Sequence, residues 1–432
     1  MDAANRRTFL GATAAAGTLA LAGPVHSSTR AEADKTLKLG VIGVGWYGMV
    51  DAKAALKVGG VEVTAVCDVD REHLDQSVAE LEKLQGKKPQ TFKLYTEMLE
   101  KADLDVVVIA TPPHWHALQL IACLERGLDV YAEKPLAYDI REGRALVEAA
   151  KKHSDRIVQV GFQRRQSQAC RDAAEFIKAG KAGRIVQADV QIHYRTGTLD
   201  ATPQEPPASL DWELWCGPGP KIPYSPQVGH KNWRLEKTSG HGHLVDWGIH
   251  NIDATRMMLG LSMPKQITAA GGLYCLQGKI TTPDTLTVHF EFDQLPVVWR
   301  HRLWGATEWD PSVNNGIFLY GDEATVFASD QRWVVIPKDQ PAQRQENIVQ
   351  SDLGPLHMAD FLECVRTRRP PACPVEEGYK STATVQLGMI AYESNSVVRW
   401  DEATEQIVDN LEAFKLLRRL YRAPYVHPYG KG

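Results

Sequence analysis

Residues 37–68 read LKLGVIGVGWYGMVDAKAALKVGGVEVTAVCD. Leu37 to Ile42 is an apolar run of strand length, and the glycine turn Gly43-Val44-Gly45-Trp46-Tyr47-Gly48 follows it. An Ala-rich stretch to Lys57 carries helix formers, and Val61 to Cys67 is a second strand-like run that ends at Asp68. Gly-x-Gly-x-x-Gly alone is a weak signal; between a strand and a helix it marks a dinucleotide-binding βαβ unit. Asp68 stands 20 residues after Gly48, the separation expected of the carboxylate that accepts from the adenosine ribose. Each glycine has a separate task. Gly43 permits the tight turn, Gly45 lets backbone N–H groups approach a pyrophosphate at the helix N-terminus, and Gly48 permits close helix–strand packing. Asp68 favours NAD, because its carboxylate repels the 2′-phosphate of NADP. Arg71, three residues on, keeps NADP open as the less favoured choice.

The alternation continues: helix 71–84, strand Val106–Ile109, helix 114–126, strand Asp129–Ala132, helix 139–153 and strand 157–160. Apolar strands separated by helices predict a parallel, doubly wound sheet, with ligands beyond the carboxyl ends of its strands. Two segments fall at those ends, Thr111-Pro112-Pro113-His114-Trp115-His116 and Glu133-Lys134-Pro135. From Gly197 to Glu236 the chain is rich in Pro and Trp, too long for an ordinary connection and too aromatic for a flexible linker. It is expected to form an ordered arm or lid, in which core packing is favoured over sugar stacking for any one tryptophan. Short β-rich stretches between Ile267 and Ile336, joined by connections such as Gly321-Asp322-Glu323, predict antiparallel hairpins. Helices are expected over about 356–367 and 378–398.

The glycine turn, Thr-Pro-x-x-x-His at 111–116, Glu-Lys-Pro at 133–135 and Asp246-x-Gly248-x-His250, in this order, resemble the Gfo/Idh/MocA oxidoreductases. The resemblance runs from Leu37 to near Trp400. It implies an α/β chain with an N-terminal Rossmann domain and a C-terminal α/β domain whose open, mostly antiparallel sheet lines the substrate site and mediates assembly into a homo-dimer or homo-tetramer. Cofactor contacts are expected at Gly43, Gly45, Trp46, Tyr47, Gly48, Asp68, Thr111, Pro112, His116, Glu133, Lys134 and Gln163, and substrate contacts at Arg164, Trp233, Arg234 and His250; Gln163, Arg164, Arg234 and Trp304 are second-tier candidates, for each of which a structural role is favoured. Lys134, Asp246 and His250 match the family's catalytic lysine, aspartate and histidine. The chemistry agrees with that assignment, since removing hydride from a carbinol carbon needs a base for the hydroxyl proton and a donor for the developing oxyanion. The i, i+4 spacing of Asp246 and His250 places both on one helix face, where the carboxylate can orient the imidazole. A metal reading of His241, His243, Asp246 and His250 is disfavoured, because Gly240 and Gly242 suit close approach to a dinucleotide and the family needs no metal.

The 432 residues have a formal net charge of −4, with 44% hydrophobic and 24% charged residues. That excludes a disordered chain and gives no electrostatic footprint for nucleic acid. The expected partner is a small sugar or glycoside, with no membrane span. Seven cysteines show no Cys-x-x-Cys pair and no zinc spacing; a bridge between Cys364 and Cys373 is an unfavoured possibility. Arg6-Arg7-Thr8-Phe9-Leu10 precedes an uncharged Ala/Gly/Leu run from Gly11 to Gly23, too short to span a bilayer. It reads as a twin-arginine export signal over residues 1–33, with a periplasmic or secreted destination. The domains are then 34–160 for the cofactor, 161–400 for the substrate and oligomer contacts, and a packed tail at 401–432. Outside the cytoplasm there is no nicotinamide pool to draw on, so the cofactor must be effectively non-dissociable. With association at ~10⁶ M⁻¹s⁻¹, even a nanomolar site empties in roughly a quarter of an hour.

Overall fold

A computed structural model describes residues 35–308 and 310–430. Residues 1–33, where an export signal is expected, lie outside the described residues. Residues 36–432 form one compact unit, and no helix among the described residues is long and apolar enough to cross a membrane.

The first sheet holds β1 (Leu37–Ile42), β2 (Val61–Cys67), β3 (Gln90–Phe92), β4 (Val106–Ile109), β5 (Asp129–Ala132) and β6 (Val158–Val160), in the order β3-β2-β1-β4-β5-β6. All its pairs are parallel. This is the doubly wound arrangement, with the order reversing beside β1. Helices α1 (Tyr47–Val58), α2 (Arg71–Gln85), α3 (Tyr95–Lys101), α4 (His116–Glu125) and α5 (Ile140–Lys152) connect the strands. The central strands are covered on both faces: every residue of β4 and β5 is buried, which is why β4 is an unbroken apolar run and β5 is apolar after Asp129. The sequence reading passed over β3 and α3. β3 is three residues with only Phe92 half-buried, so it carries no periodicity to read.

After β6 the chain forms α6 (Gln168–Lys178) and then a second sheet of ten strands: β7 (Ile185–His193), β8 (Gln266–Gly272), β9 (Thr285–Glu291), β10 (Pro296–Arg302), β11 (Asn315–Gly321), β12 (Ala324–Ala328), β13 (Arg332–Pro337), β14 (Gln345–Ile348), β15 (Val398–Asp401) and β16 (Gln406–Val408). The order is β14-β13-β12-β11-β7-β10-β9-β8-β15-β16, and only the β7–β10 pair is parallel. The sheet is therefore mostly antiparallel, as expected. One face buries Leu286, Val288, Phe290, Val297 and Trp299, while the alternate residues Thr287, His289, Val298 and Arg300 are half-buried or exposed. That alternation is the mark of a sheet with one covered face.

Three longer helices, α8 (Ile249–Leu259), α9 (Leu353–Thr367) and α10 (Val375–Glu393), complete the body among the described residues, together with a short α7 (Trp212–Cys216) in the arm and a short α11 (Leu411–Lys415) after the last strand. The last long helix stops five residues before the expected Val398, which instead opens β15. Asn395 takes φ +47° there, a left-handed conformation that asparagine tolerates and that ends helices. The chain then returns to the first sheet: Met358, Phe361 and Leu362 of α9 join the core formed by Val41, Ala52 and Val108. The two sheets are also tied by a buried ion pair. Arg165, just after β6, makes a two-pronged contact with Asp253 of α8 at 2.9 and 2.7 Å, and Ser381 of α10 donates to the same carboxylate at 2.6 Å. This joint fixes α8, and with it Asp246 and His250, against the end of the first sheet. The cysteines are free thiols, so Cys364 and Cys373 do not pair.

Candidate active site

The glycine turn opens at the carboxyl end of β1, where Gly43 takes φ +89° and a Cβ on it would lie 2.8 Å from the Thr111 amide nitrogen. A Cβ on Gly48 would lie 1.8 Å from the Gly43 carbonyl oxygen. Helix α1 therefore meets β1 at a distance only glycine allows. Asp68 ends β2 with one carboxylate oxygen accepting from Val44 N–H at 2.9 Å and the other from Asp70 N–H at 3.0 Å. A cavity of about 620 Å³ lies along this edge, walled by Gly43, Gly45, Trp46, Tyr47, Asp68, Thr111 and Pro112. Its opposite wall is the arm, through Trp215, Tyr224, His230 and Trp233. The cavity size, the glycine cradle and the Asp68 carboxylate fit an extended dinucleotide. Arg71 is exposed and does not line the wall. Substituting Gly48 by valine is expected to push α1 off β1, costing about 2 kcal/mol of stability or more and weakening nucleotide binding at least about tenfold. Thermal unfolding and calorimetric titration measure both, and an unchanged variant would contradict the packing role.

A second cavity of about 350 Å³ shares Trp46, Tyr47, Thr111, Trp233 and Arg234 with the first and is floored by Lys134, Asp246 and His250. Lys134 follows β5. Its ammonium donates to the Asp246 carboxylate at 3.0 Å and to the Asp246 carbonyl at 2.7 Å, with only 11% of the lysine side chain and 6% of the aspartate exposed. Arg234 donates to the same carboxylate at 3.2 Å. Burial pushes the Asp246 carboxyl up, but Lys134 and Arg234 together outweigh it and hold the group below its usual range. Burial, with Lys134 and Arg164 nearby, drives His250 well below the usual histidine range, so the imidazole is neutral at ordinary pH. Its Nδ1 is buried without a hydrogen-bond partner.

Behind Lys134, Glu133 is buried and accepts from Gln163 at 2.9 Å. Burial raises its carboxyl to about 7. Buried Asp51 of α1 is likewise raised, by its own burial and by Glu133, and one of its oxygens has no partner.

Most expected residues line one cavity or the other, and three expectations change. Asp246 and His250 were expected to act as a pair on one helix face. Residues 244–248 instead form one turn of π-helix before α8, and among the described residues the Asp246 carboxylate pairs with Lys134 and Arg234 rather than with His250. His116 faces neither cavity: its Nδ1 lies 2.8 Å from the Pro135 carbonyl and its Nε2 2.7 Å from the Thr111 carbonyl. It therefore ties the two loops at the sheet edge instead of touching a ligand. Trp304 lines a separate cavity with Arg195 and Leu276 and donates to Thr285 at 2.7 Å. Arg164 does line the reaction cavity, held by Asn251 and Asn315. In the arm, Trp212 and Trp215 stack on each other at 4.5 Å with Tyr224 edge-on, the self-packing role favoured for these rings. Trp233 instead faces both cavities, stacked under the Arg234 guanidinium at 4.3 Å.

Several wall residues were not singled out from sequence, among them Tyr194, just past the end of β7, and Lys231 and Asn232 on the arm. His243, weighed only as a metal ligand in Gly240-His241-Gly242-His243 beside Asp246, also lines this wall and meets the Tyr194 ring edge-on at 4.9 Å. The four groups weighed there as metal ligands do not converge. His241 is turned to the Tyr138 carbonyl at 3.0 Å, and no metal-spaced group among the described residues includes them.

The profile described as "Oxidoreductase family, NAD-binding Rossmann fold" matches residues 37–162, and two C-terminal profiles of the same family, one described as an α/β domain, match 217–326 and 320–427. The chain is 34% identical over 152 residues to inositol 2-dehydrogenase 4 of Saccharopolyspora erythraea, covering 35% of this chain and 44% of that protein. It is 34% identical over 121 residues to a glycosyl hydrolase family 109 protein of Shewanella pealeana, covering 27% and 26%. These matches span less than half the length of either relative. Among solved structures, the aldose-aldose oxidoreductase of Caulobacter crescentus superposes with a TM-score of 0.66 at 16% identity, over 84% of this chain and 100% of that one. Both halves of the chain, the parallel sheet with its glycine cradle and the mostly antiparallel sheet behind Asp246 and His250, thus match profiles of one family, and the chain belongs to the Gfo/Idh/MocA oxidoreductases.

Proposed function

We propose that this protein transfers hydride between a tightly held nicotinamide dinucleotide, NAD rather than NADP, and a carbinol carbon of a sugar, glycoside or polyol. The observation that carries the reading is Lys134, whose ammonium spends two of its three donors on Asp246 at the junction of the two cavities. The third is free to meet a substrate oxygen. The nicotinamide ring supplies the hydride acceptor when bound. Neutral His250, on the wall of the reaction cavity, takes the hydroxyl proton, and Lys134 stabilises the oxygen as negative charge develops there. Arg234 and Asp246 hold that lysine in place. Asp68 supports NAD, and the names of the relatives, an inositol dehydrogenase and an aldose-aldose oxidoreductase, support the substrate class.

The protein is exported folded with its cofactor already bound, and works as a dimer or tetramer. Arg6-Arg7 and the short uncharged run after them support export, and replacing the pair by Lys-Lys is expected to hold the precursor inside the cell. Denaturing purified protein and identifying the released nucleotide by mass tests the cofactor. NAD found without any addition is the expected result, and a nucleotide that appears only after soaking contradicts tight retention.

A retained cofactor must be reset in place, either by a second sugar or by a redox-neutral cleavage in which transient oxidation acidifies a neighbouring C–H and expels an aglycone. The similarity to a glycosyl hydrolase family 109 protein favours keeping the second reading. Incubation with glycosides and no added nicotinamide separates them: an oxidised sugar with a matching reduced partner supports the first, and free aglycone the second. A non-catalytic nucleotide-holding role predicts that neither product forms and that Lys134 and His250 variants change nothing.

A further inference from the structure

Outside the reaction cavity, three metal-ligating side chains from distant parts of the chain converge at the other end of the nucleotide cavity. Asp70 ends the segment after β2, His73 lies in the first turn of α2, and His230 sits on the arm. One donor atom from each lies within 4.8 Å of the other two. His230 Nε2 is 3.5 Å from Asp70 Oδ2, and the two imidazole rings have centroids 4.5 Å apart. A tetrahedral ion with bonds of about 2.0–2.1 Å holds its donors roughly 3.3–3.4 Å apart. One edge of that figure is already close to length, and the other donor pairs lie within 4.8 Å. The second oxygen of Asp70 is occupied, accepting from Glu72 N–H at 2.9 Å, so the free oxygen is aimed at the histidines. Asp68 adds negative charge, 4.0 Å from His73 Nδ1. The neighbouring cation is turned away: Lys231 lies over the Trp46 ring at 4.6 Å.

The other metal-spaced group, Asp139, Glu142 and His427, shows what a satisfied cluster looks like. There the Arg419 guanidinium already fills the place of a cation, 2.8 Å from Glu142. Among the described residues, no lysine or arginine pairs with the Asp70 carboxylate. From these contacts we propose that Asp70, His73 and His230 bind a divalent transition-metal ion of the zinc type, which fastens the arm to the wall of the nucleotide cavity. Two imidazoles and one carboxylate suit zinc rather than calcium or magnesium, which take oxygen ligands. The fourth position faces the cavity. His230 belongs to the arm and Asp70 and His73 to the first sheet's edge, so the ion closes a loop around the cavity that otherwise relies on contacts such as Arg71 N–H to the Ser209 carbonyl at 3.0 Å. The retention function rests on the proposed tight nucleotide; the ion site itself does not.

The test uses the whole purified protein stripped with a chelator and titrated with cobalt(II), whose visible absorption reports tetrahedral coordination, followed by displacement with zinc. One ion per chain is expected, with affinity falling at least about 30-fold in His230→Gln and again in His73→Gln, both checked for an unaltered thermal transition. Absence of the tetrahedral band, or binding unchanged in both variants, means an adventitious ion only and overturns the site. Chelation should also speed release of bound nucleotide at least tenfold in the unmodified protein and not in His230→Gln. Metal bound with no change in nucleotide release overturns the fastening role alone. Protein that carries no nucleotide refutes the retention reading, while the cobalt titration still decides the site.

Discussion

Replacing Lys134 by methionine should lower the rate of hydride transfer by about 10³-fold or more while the protein stays folded and keeps its nucleotide. Methionine fills the same volume but removes the ammonium that meets the developing oxyanion, and loss of one such donor typically costs 10²–10³ in rate. The Asp246 carboxylate is then left buried with Arg234 as its charged partner, a further disturbance of the floor on which the substrate rests. Lys134→Arg is expected to recover little, because the planar fork cannot reproduce contacts at 3.0 and 2.7 Å to one residue and still leave a donor for substrate. Single-turnover measurement of nicotinamide absorbance, with whichever polyol or aldose the unmodified protein oxidises, gives the rate. A loss smaller than tenfold would remove Lys134 from the chemical step. Because His250 is held neutral by burial, Lys134 and Arg164, the acid limb of that rate should lie well below pH 6.5.

Acidification from pH 7 to 4.5 should strip away much of the folding stability. Burial lowers His116, His241, His301 and His357 to about 4 and His114 to about 3. In the unfolded chain these groups take up protons near pH 6.5, so between that value and the folded pKa the unfolded state binds more protons. Stability is then present above pH 6.5 and falls as the pH drops. Glu133, raised by burial to about 7, and the carboxyls of Asp51, Asp68, Glu142 and Glu393, raised by the same cause, act in the opposite sense, since their protons are bound more tightly in the folded state. Burial also lowers His193, His230, His243 and His250, so the lowered histidines outnumber the raised carboxyls. At about 1 kcal/mol each, five buried imidazoles amount to a large part of a typical folding free energy of about 5–15 kcal/mol. The thermal midpoint is expected to fall by about 10 °C between the two pH values; a flat profile would mean that these rings gain charge without unfolding.

The cofactor half was legible because its signals are local. A glycine at positive φ, a strand covered on both faces and a carboxylate 20 residues after a turn are each written within one βαβ unit, and strands such as Val106–Ile109 and Asp129–Ala132 were placed to the residue. β7 was passed over, although Ala188, Val190 and Ile192 alternate with polar residues there. The pattern lay between a helix and a proline-rich stretch that drew the reading. Trp304 and His116 were assigned to the site by type and position, and the direction of a side chain is not a property of either.

The sequence by itself determined the parallel first sheet and the glycine cradle, and it singled out Asp68, Lys134, Asp246 and His250 as the site candidates. Only the tertiary structure decided how those three divide their work. Lys134 and Asp246 stand 112 residues apart, and the attraction of two charges brought out of water together exceeds what a four-residue spacing along a helix can impose, so the carboxylate turned to the lysine rather than to the histidine, which burial, Lys134 and Arg164 hold neutral. The same holds at the far end of the nucleotide cavity. His230 meets Asp70 and His73 because the arm packs its own tryptophans and lies back over the sheet edge, a long-range closure that no local periodicity records.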